Sequence, residues 1–414
     1  MQRPTPWLTL VVLLLGLLLL REPRFQDWDD LFLRWLLKHS QPHGAPVPLT
    51  VVEIGRDPLM DTRSADEPSA GSPTGSGAGF SPLEFALFLQ AALEFKPEVI
   101  AFENILRWRE RDKDQEQVFL DQAMRVPKLM VAAELTASPD PDDPGAEVRG
   151  FTQVKGKRGD LPEFSGISRR PSEDMRLVST LGYVNLPEEV ASDIRVPLLF
   201  LYRGEVIPSF PLQALLLWLG ITPGEVKVEM GSHLELPDGR RIPIARDGTM
   251  SIHPQAGQRA RRMTLNELLL ATQHRGQAKE TTSEQLDLAK QIVLARTPSN
   301  PLAPPDIFTA TLANLQGGIH LRRMSKVFDC VVLLLAAGAI GLARRIDRSD
   351  LILIGIAISA AYCLTALAVI SQWHVWLPGT LPLAAVWLCI CTALIFRTRD
   401  EAGVATVTIP PPIP

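Results

Sequence analysis

Apolar positions gather at the two ends of the chain, and polar ones fill the middle. Four apolar runs stand out: Trp7 to Leu20, Val327 to Ala343, Leu351 to Ile370 and Leu381 to Phe396. Each reads as a transmembrane helix, for which about 20 apolar residues are needed. The first run is short, so local bilayer thinning or snorkelling by Arg21 is expected. No small-x-small cleavage site follows it, and "REPRFQDWDD" comes instead; the run reads as an uncleaved signal anchor. The third run carries no charge and is the clearest span, whereas the second has Asp329 near its outer end. Trp373, Trp376 and Trp387 suit positions at or near the membrane interface.

Between the ends, short apolar runs alternate with amphipathic stretches. "DDLFLRWLLKH" places apolar residues at Leu31, Phe32, Trp35 and Leu36 and predicts an amphipathic helix. "PLTVVEIG", "PEVIAFENI" and "PKLMVAAEL" predict strands, separated by the helices "LEFALFLQAALEF" and "KDQEQVFLDQAMR". Strand, helix, strand, helix, strand argues for a parallel sheet covered by helices. Two stretches interrupt. Residues 61–80 are rich in Ser, Gly, Ala and Pro and predict a flexible loop. Residues 137–175 begin acidic and turn basic, and predict an irregular loop packed over the domain or a ligand-binding lid. Beyond them lie two strands and a helix in 182–220. Short strands broken by Pro-Asp-Gly and Arg-Asp-Gly turns follow. A helix with a Thr264/Glu267 capping box and the strand "AKQIVLARTP" come last. The fold class predicted is an α/β extracytoplasmic domain, with a parallel or mixed sheet and flanking helices, plus four transmembrane helices, one N-terminal and three C-terminal.

Orientation follows from the basic residues of short loops. Arg344, Arg345 and Arg348 lie between the second and third runs, and Arg397 and Arg399 follow the fourth, while "SQWHVWLPGT" has neither Lys nor Arg. The positive-inside rule puts 344–350 and the tail 397–414 in the cytoplasm, with residues 1–6. Parity then puts 21–326 outside a bacterial inner membrane. Arg21, Arg24, Arg322, Arg323 and Lys326 flank that large translocated region, where the rule weakens. The tail "EAGVATVTIPPPIP" is expected to be disordered and too short for a folded output, so any signal is expected to pass through the membrane helices or a partner.

The net charge of −4 gives no reason to expect nucleic-acid binding. The four cysteines, Cys330, Cys363, Cys389 and Cys391, all fall in the C-terminal apolar runs, so the polar region is held by an ordinary core rather than by disulfides. The seven histidines show no H-x-x-x-H or H-E-x-x-H spacing, and His233 and His253 read as hydrogen-bonding residues rather than metal ligands. "GSGAG" lacks the spacing and setting of a nucleophile elbow, and the chain holds no phosphate-binding P-loop motif. We therefore expect no catalytic residue, metal or cofactor. Glu53 and Glu103 end two strands expected to be central. Ligand crevices of open parallel sheets lie beyond the strand C-termini, so the two carboxylates are candidates for binding a cation or polar ligand. The alternative is that they are strand-end acids, solvated or paired with arginine.

The order and spacing of several stretches carry a resemblance. These are "DDLFLRWL", "KPEVIAFENIL" with "DKDQEQVFLDQAM", "LGYVNLPEEVASDIRVPLLFLYRGEVIPSFPLQALLLWL", "LPDGRRIPIARDGTMSIHP" and "LAKQIVLARTPSN" with "LQGGIHLRR". Over about residues 25–326 the chain resembles the bacterial CHASE-type extracytoplasmic sensor domain of the second kind, found ahead of cyclases, kinases and phosphatases. The resemblance implies Asp30, Arg34, Glu103, Arg195, Asp247 and Gly248 as the matching positions. Glu53, Glu103 and Arg195 are then the candidate ligand-binding residues, and Asp247-Gly248 a structural turn. The chain departs from the family pattern at Ile54-Gly55, at Glu103, at "GAGFSPLEF" and at Leu294-Ala295-Arg296-Thr297-Pro298. What the resemblance implies is a membrane-anchored sensor of an unknown small ligand, signalling through a membrane kinase, cyclase or other output protein. A scaffold whose outer domain binds a protein partner is the alternative, and an envelope hydrolase a remote one.

Overall fold

The computed structural model describes residues 23–40, 44–55, 81–108, 113–139, 149–186, 194–277, 286–297, 306–325, 327–332, 334–335, 348–388, 390–391 and 394. Two compact units emerge: Gly44–His320, and Met1–His43 together with Leu321–Pro414. The first described helix, α1 (Pro23–His39), belongs to the second of these.

The first unit is built on a seven-stranded mixed sheet. Its N-terminal part runs β1 (Leu49–Glu53), α2 (Pro82–Leu93), β2 (Val99–Phe102), α3 (Lys113–Ala123) and β3 (Leu129–Thr136). All residues of β1 and β2 are buried, which is why these strands read as continuous apolar runs rather than alternating ones. The chain then forms β4 (Gln153–Lys155), β5 (Glu163–Phe164), β6 (Gly166–Arg169), α4 (Glu173–Val178) and β7 (Thr180–Tyr183). Next come β8 (Arg195–Pro197), β9 (Leu199–Tyr202), β10 (Glu205–Pro208) and α5 (Phe210–Leu219). After these lie β11 (Lys227–Glu229), β12 (His233–Glu235), β13 (Arg241–Pro243) and β14 (Thr249–Ser251). The unit closes with β15 (Arg261–Thr264), α6 (Leu265–Gln277), β16 (Ile292–Arg296) and α7 (Ile307–Gly317).

The main sheet runs β15-β1-β16-β2-β3, all parallel. At the far edge β3 pairs with β7 in parallel along Met130–Ala133 and with β6 antiparallel along Glu134–Thr136. β16 thus lies between β1 and β2, although some two hundred residues separate it from them in sequence. Successive residues of each strand point to opposite faces. Leu49 and Val51 of β1, Val99 and Ala101 of β2, and Ile292 and Leu294 of β16 join the core under α5 and α7. Val52, Ile100, Phe102, Val293 and Ala295 face α2, α3 and α6. That second core is rich in aromatic edge-to-face contacts: Phe102 meets Phe85 at 5.7 Å, Phe88 at 5.5 Å and Phe119 at 5.9 Å between ring centroids. The expected α6 capping box forms, with Glu267 Oε2 accepting from Thr264 N at 2.6 Å and Thr264 Oγ1 accepting from Glu267 N at 3.2 Å.

Two expectations about the polar stretches can be set against the described residues. The stretch 137–175, expected as an irregular loop or lid, contains β4, β5 and β6 and the start of α4 in its described part. Its strands pair with β11, β9 and β3, mostly distant in sequence, and a local reading has no access to such partners. Residues 61–80 lie outside the described residues, as do 1–6, 7–20 and 397–414.

The larger correction concerns the four transmembrane helices. Among the described residues, one helix is long and apolar enough to cross a membrane, Ser349–Trp373 within α8 (Arg348–Trp373). The first expected span, 7–20, lies outside the described residues, and the second and fourth are described only in part. In the second unit α1 packs on α8, and two short strands, β17 (Arg322–Arg323) and β18 (Val375–Trp376), pair in parallel just past the C-terminus of α8.

Candidate functional site

The C-terminal ends of the parallel strands bring charged residues together. β1 ends at Glu53, β16 at Arg296, and Glu103 directly follows β2. Because β16 is inserted between the other two, an arginine stands between the two expected acids. Ladder hydrogen bonds hold the three ends in step: Ile54 N donates to Arg296 O at 2.8 Å, and Glu103 N donates to Ala295 O at 3.2 Å.

The side chains form an ionic chain. Arg296 Nη2 lies 3.3 Å from Glu53 Oε1, with both side chains only 11% exposed. Arg296 Nη1 donates to Asp306 Oδ1, and Arg262 Nη2 reaches the same oxygen at 3.0 Å. Arg262 comes from β15, in register with Val51 of β1. Asp306 precedes α7 with a left-handed backbone, φ +70°, a conformation that costs a non-glycine residue roughly 1–3 kcal/mol. Burial by itself would raise its carboxyl pKa. The hydrogen bond from Arg262 and the charges of Arg296 and Arg262 outweigh that and hold it below the ordinary value of 3.8.

Next to this chain, Asn104 and Thr297 bind each other reciprocally. Asn104 Nδ2 donates to Thr297 Oγ1 at 2.8 Å, and Thr297 N donates to Asn104 Oδ1 at 3.0 Å. This clasp fixes the departure of the chain from β2 and β16. Glu103 is buried, at 6% exposure. Glu53, Glu103 and Asp306 set three carboxylates against the two guanidiniums of Arg262 and Arg296. The charges at this edge are partly withdrawn from water.

The other sequence candidates lie elsewhere. Arg195 opens β8, opposite Ser251 in the two-stranded ladder with β14, on a different sheet from Glu53 and Glu103. Asp247 and Gly248 form the turn before β14. Asp247 Oδ1 accepts from Thr249 N at 3.1 Å and from Thr249 Oγ1 at 2.8 Å, and Gly248 has φ +75°. Asp30 and Arg34 lie on α1, in the other unit. His253 holds Asn314 of α7 through its backbone, donating to Oδ1 at 3.1 Å and accepting from Nδ2 at 3.0 Å. Among the described residues, no group of three or more His, Cys, Asp or Glu is arranged to hold a metal ion.

Arg262, Asn104 and Asp306 were not chosen from the sequence as site residues, whereas Arg296 and Thr297 lie in the stretch 294–298 where the chain departs from the family pattern and a site was expected. Arg296 was within reach, since a charged residue closing a buried apolar run is the same signal that singled out Glu53. Asp306 and Arg262 carried no such signal. No family model matches the chain, and neither a curated protein nor a solved structure shows significant similarity to it.

Proposed function

We propose that this chain is a membrane-anchored extracytoplasmic sensory protein whose α/β unit binds a small polar ligand at the C-terminal edge of its parallel sheet. The observation that carries the reading is Arg296, held between Glu53 and Asp306 at the place where open parallel sheets bind ligands. Such a chain of paired charges can exchange partners. An anionic group of a ligand takes a share of Arg296, and a cationic group takes a share of Glu53 or Asp306. Arg296 closes β16 and Asp306 opens α7, so a change of partner is felt by both elements. The order and spacing of the stretches that resemble CHASE-type sensors support the same reading. On it, ligand binding favours one of two states of the unit, and a membrane partner with kinase or cyclase activity reads the difference.

The placement of the α/β unit outside the membrane is supported by the ends of α8. Arg344, Arg345 and Arg348 flank its N-terminal end, which the positive-inside rule assigns to the cytoplasm. The chain leaves the α/β unit at His320 and pairs Arg322–Arg323 with Val375–Trp376, beyond the opposite end of α8.

The test is a thermal-shift screen of the full-length chain in detergent against small polar and ionic compounds. A ligand at a hundred times its Kd adds about 2.7 kcal/mol, which for a domain of this size raises Tm by roughly 5–10 °C. The shift is expected to be lost in Glu103→Gln and Arg296→Gln. If no compound shifts either unit and a membrane protein co-purifies stoichiometrically, the scaffold reading replaces this one.

A further inference from the structure

Helix α1 buries Leu33, Leu36 and Leu37, yet it also carries large apolar side chains on its outward face, which a helix at a water-exposed surface does not need. Such a helix buries its apolar stripe and shows its charges to solvent. In α1, Asp29 and Asp30 are buried, at 9% and 8% exposure, whereas Trp28, Leu31 and Trp35 are 62%, 60% and 40% exposed. These three recur at helical spacing along one outward stripe.

The inward Asp29 is held by specific partners. Asp29 Oδ1 accepts from Thr380 N at 2.9 Å, and Asp29 Oδ2 lies 3.3 Å from Arg323 Nη2. Arg323 also pairs through Nη1 with Asp329 Oδ2 at 3.0 Å, and its guanidinium sits 5.6 Å from the centroid of the Trp376 ring. The ring of Phe32 is pressed against Gly379, where no Cβ would fit. The rotation of α1 about its axis is therefore fixed by ion pairs and packing, with the tryptophans turned outward.

We infer that the Trp28–Leu31–Trp35 stripe of α1 lies in the headgroup–acyl boundary of the lipid bilayer, with the helix along the membrane surface beside the outer end of α8. The occupant is lipid because the stripe continues an apolar exterior of the same compact unit. α1 packs on α8, whose Leu353, Ile356 and Leu364 are 63%, 52% and 67% exposed. Trp373, 68% exposed, ends α8 just before the β18 and Thr380 segment to which α1 is tied. Trp28, Trp35 and Trp373 thus belong to one end of α8, and interfacial tryptophan is what the headgroup layer favours. The inference rests on the reading of α8 as a membrane span.

The test is spin labelling of the full-length chain in phosphatidylethanolamine–phosphatidylglycerol vesicles, with Cys330, Cys363, Cys389 and Cys391 replaced by serine. Labels go at Leu31→Cys, at Leu353→Cys on α8, and at Leu177→Cys, an 82% exposed position of the α/β unit. The ratio of collisions with lipid-soluble oxygen to collisions with a water-soluble nickel chelate is expected to be severalfold higher at 31 and 353 than at 177. Trp35→Cys repeats the measurement on the same stripe, in case the label at 31 disturbs the helix. A ratio at 31 and 35 equal to that at 177, with 353 still high, overturns the inference and leaves the anchor standing. A low ratio at 353 overturns both. Spin–spin broadening between labels at 31 assigns the stripe to a second copy of the chain, and low access to both reagents assigns it to a protein cover. Either result also overturns the inference.

Discussion

Arg296 donates to Glu53 from one nitrogen and to Asp306 from another, and its side chain is only 11% exposed. Removing one partner of a buried ion pair costs roughly 3–5 kcal/mol, because the other charge is left desolvated. Asp306 is 33% exposed, so solvent recovers part of that cost. Arg296→Met is therefore expected to destabilise the α/β unit by about 2–3 kcal/mol in urea unfolding, whereas Glu53→Gln, which keeps a hydrogen-bond acceptor, loses less. The depressed carboxyl of Asp306 makes a pH prediction. Its folded pKa lies below its unfolded one, so its contribution to stability is complete above the ordinary value of 3.8 and is lost as the pH falls through the lower folded value. Acid unfolding of the wild type is expected to steepen below about pH 4. Asp306→Asn should flatten that limb while lowering stability at pH 7. Gly248 gives a third prediction. A Cβ there would lie 2.5 Å from Leu161 Cδ2 and 3.0 Å from Leu199 Cβ, on a backbone at φ +75°. Strain at such a φ alone costs on the order of 1 kcal/mol, so Gly248→Ala is expected to lower stability by about 2 kcal/mol or more in the same urea assay.

At the scale of elements, the capping box that opens α6 is expected to contribute as such caps do: Thr264→Ala should cost about 1 kcal/mol in urea unfolding. The elements also show what a sequence can reveal and what it withholds. Val99–Phe102, Leu129–Thr136 and Ile292–Arg296 are mostly buried apolar runs, and their identity as strands was readable from that apolar continuity. Their order was not. Glu53 and Glu103 were correctly seen at strand ends, but nothing local says that β16 separates β1 from β2. Arg296 could therefore not be assigned to a place between the two acids. The three small strands of 137–175 were hidden for a related reason: each is only two to four residues long and is held by partners distant in the chain. In α1 the spacing of apolar residues gave the helix but not its facing. Amphipathic periodicity does not resolve two apolar faces, and in α1 Leu33, Leu36 and Leu37 are buried beside Asp29 and Asp30 while Trp28, Leu31 and Trp35 face outward.

At the scale of the whole molecule, the described residues contain one span, Ser349–Trp373, rather than four. The α/β unit, by contrast, has complete cores on both sheet faces drawn from its own residues. Residues 44–320 alone are accordingly expected to fold in detergent-free buffer and to unfold in one cooperative urea transition. Failure to express as a soluble, cooperative species would mean that the second unit contributes to that fold.

The insertion of β16 into the centre of the sheet bears on how the molecule is made. During synthesis β1, β2 and β3 emerge well before Ile292–Arg296, and until then the inner edges of β1 and β2 have no neighbour. An exposed, apolar strand edge is prone to pairing with other chains. The nascent domain must therefore pass through a stage in which its most aggregation-prone surface is open, and a sheet closed by so distant a strand forms slowly. Demand on chaperones in the compartment where this domain folds is built into its strand order.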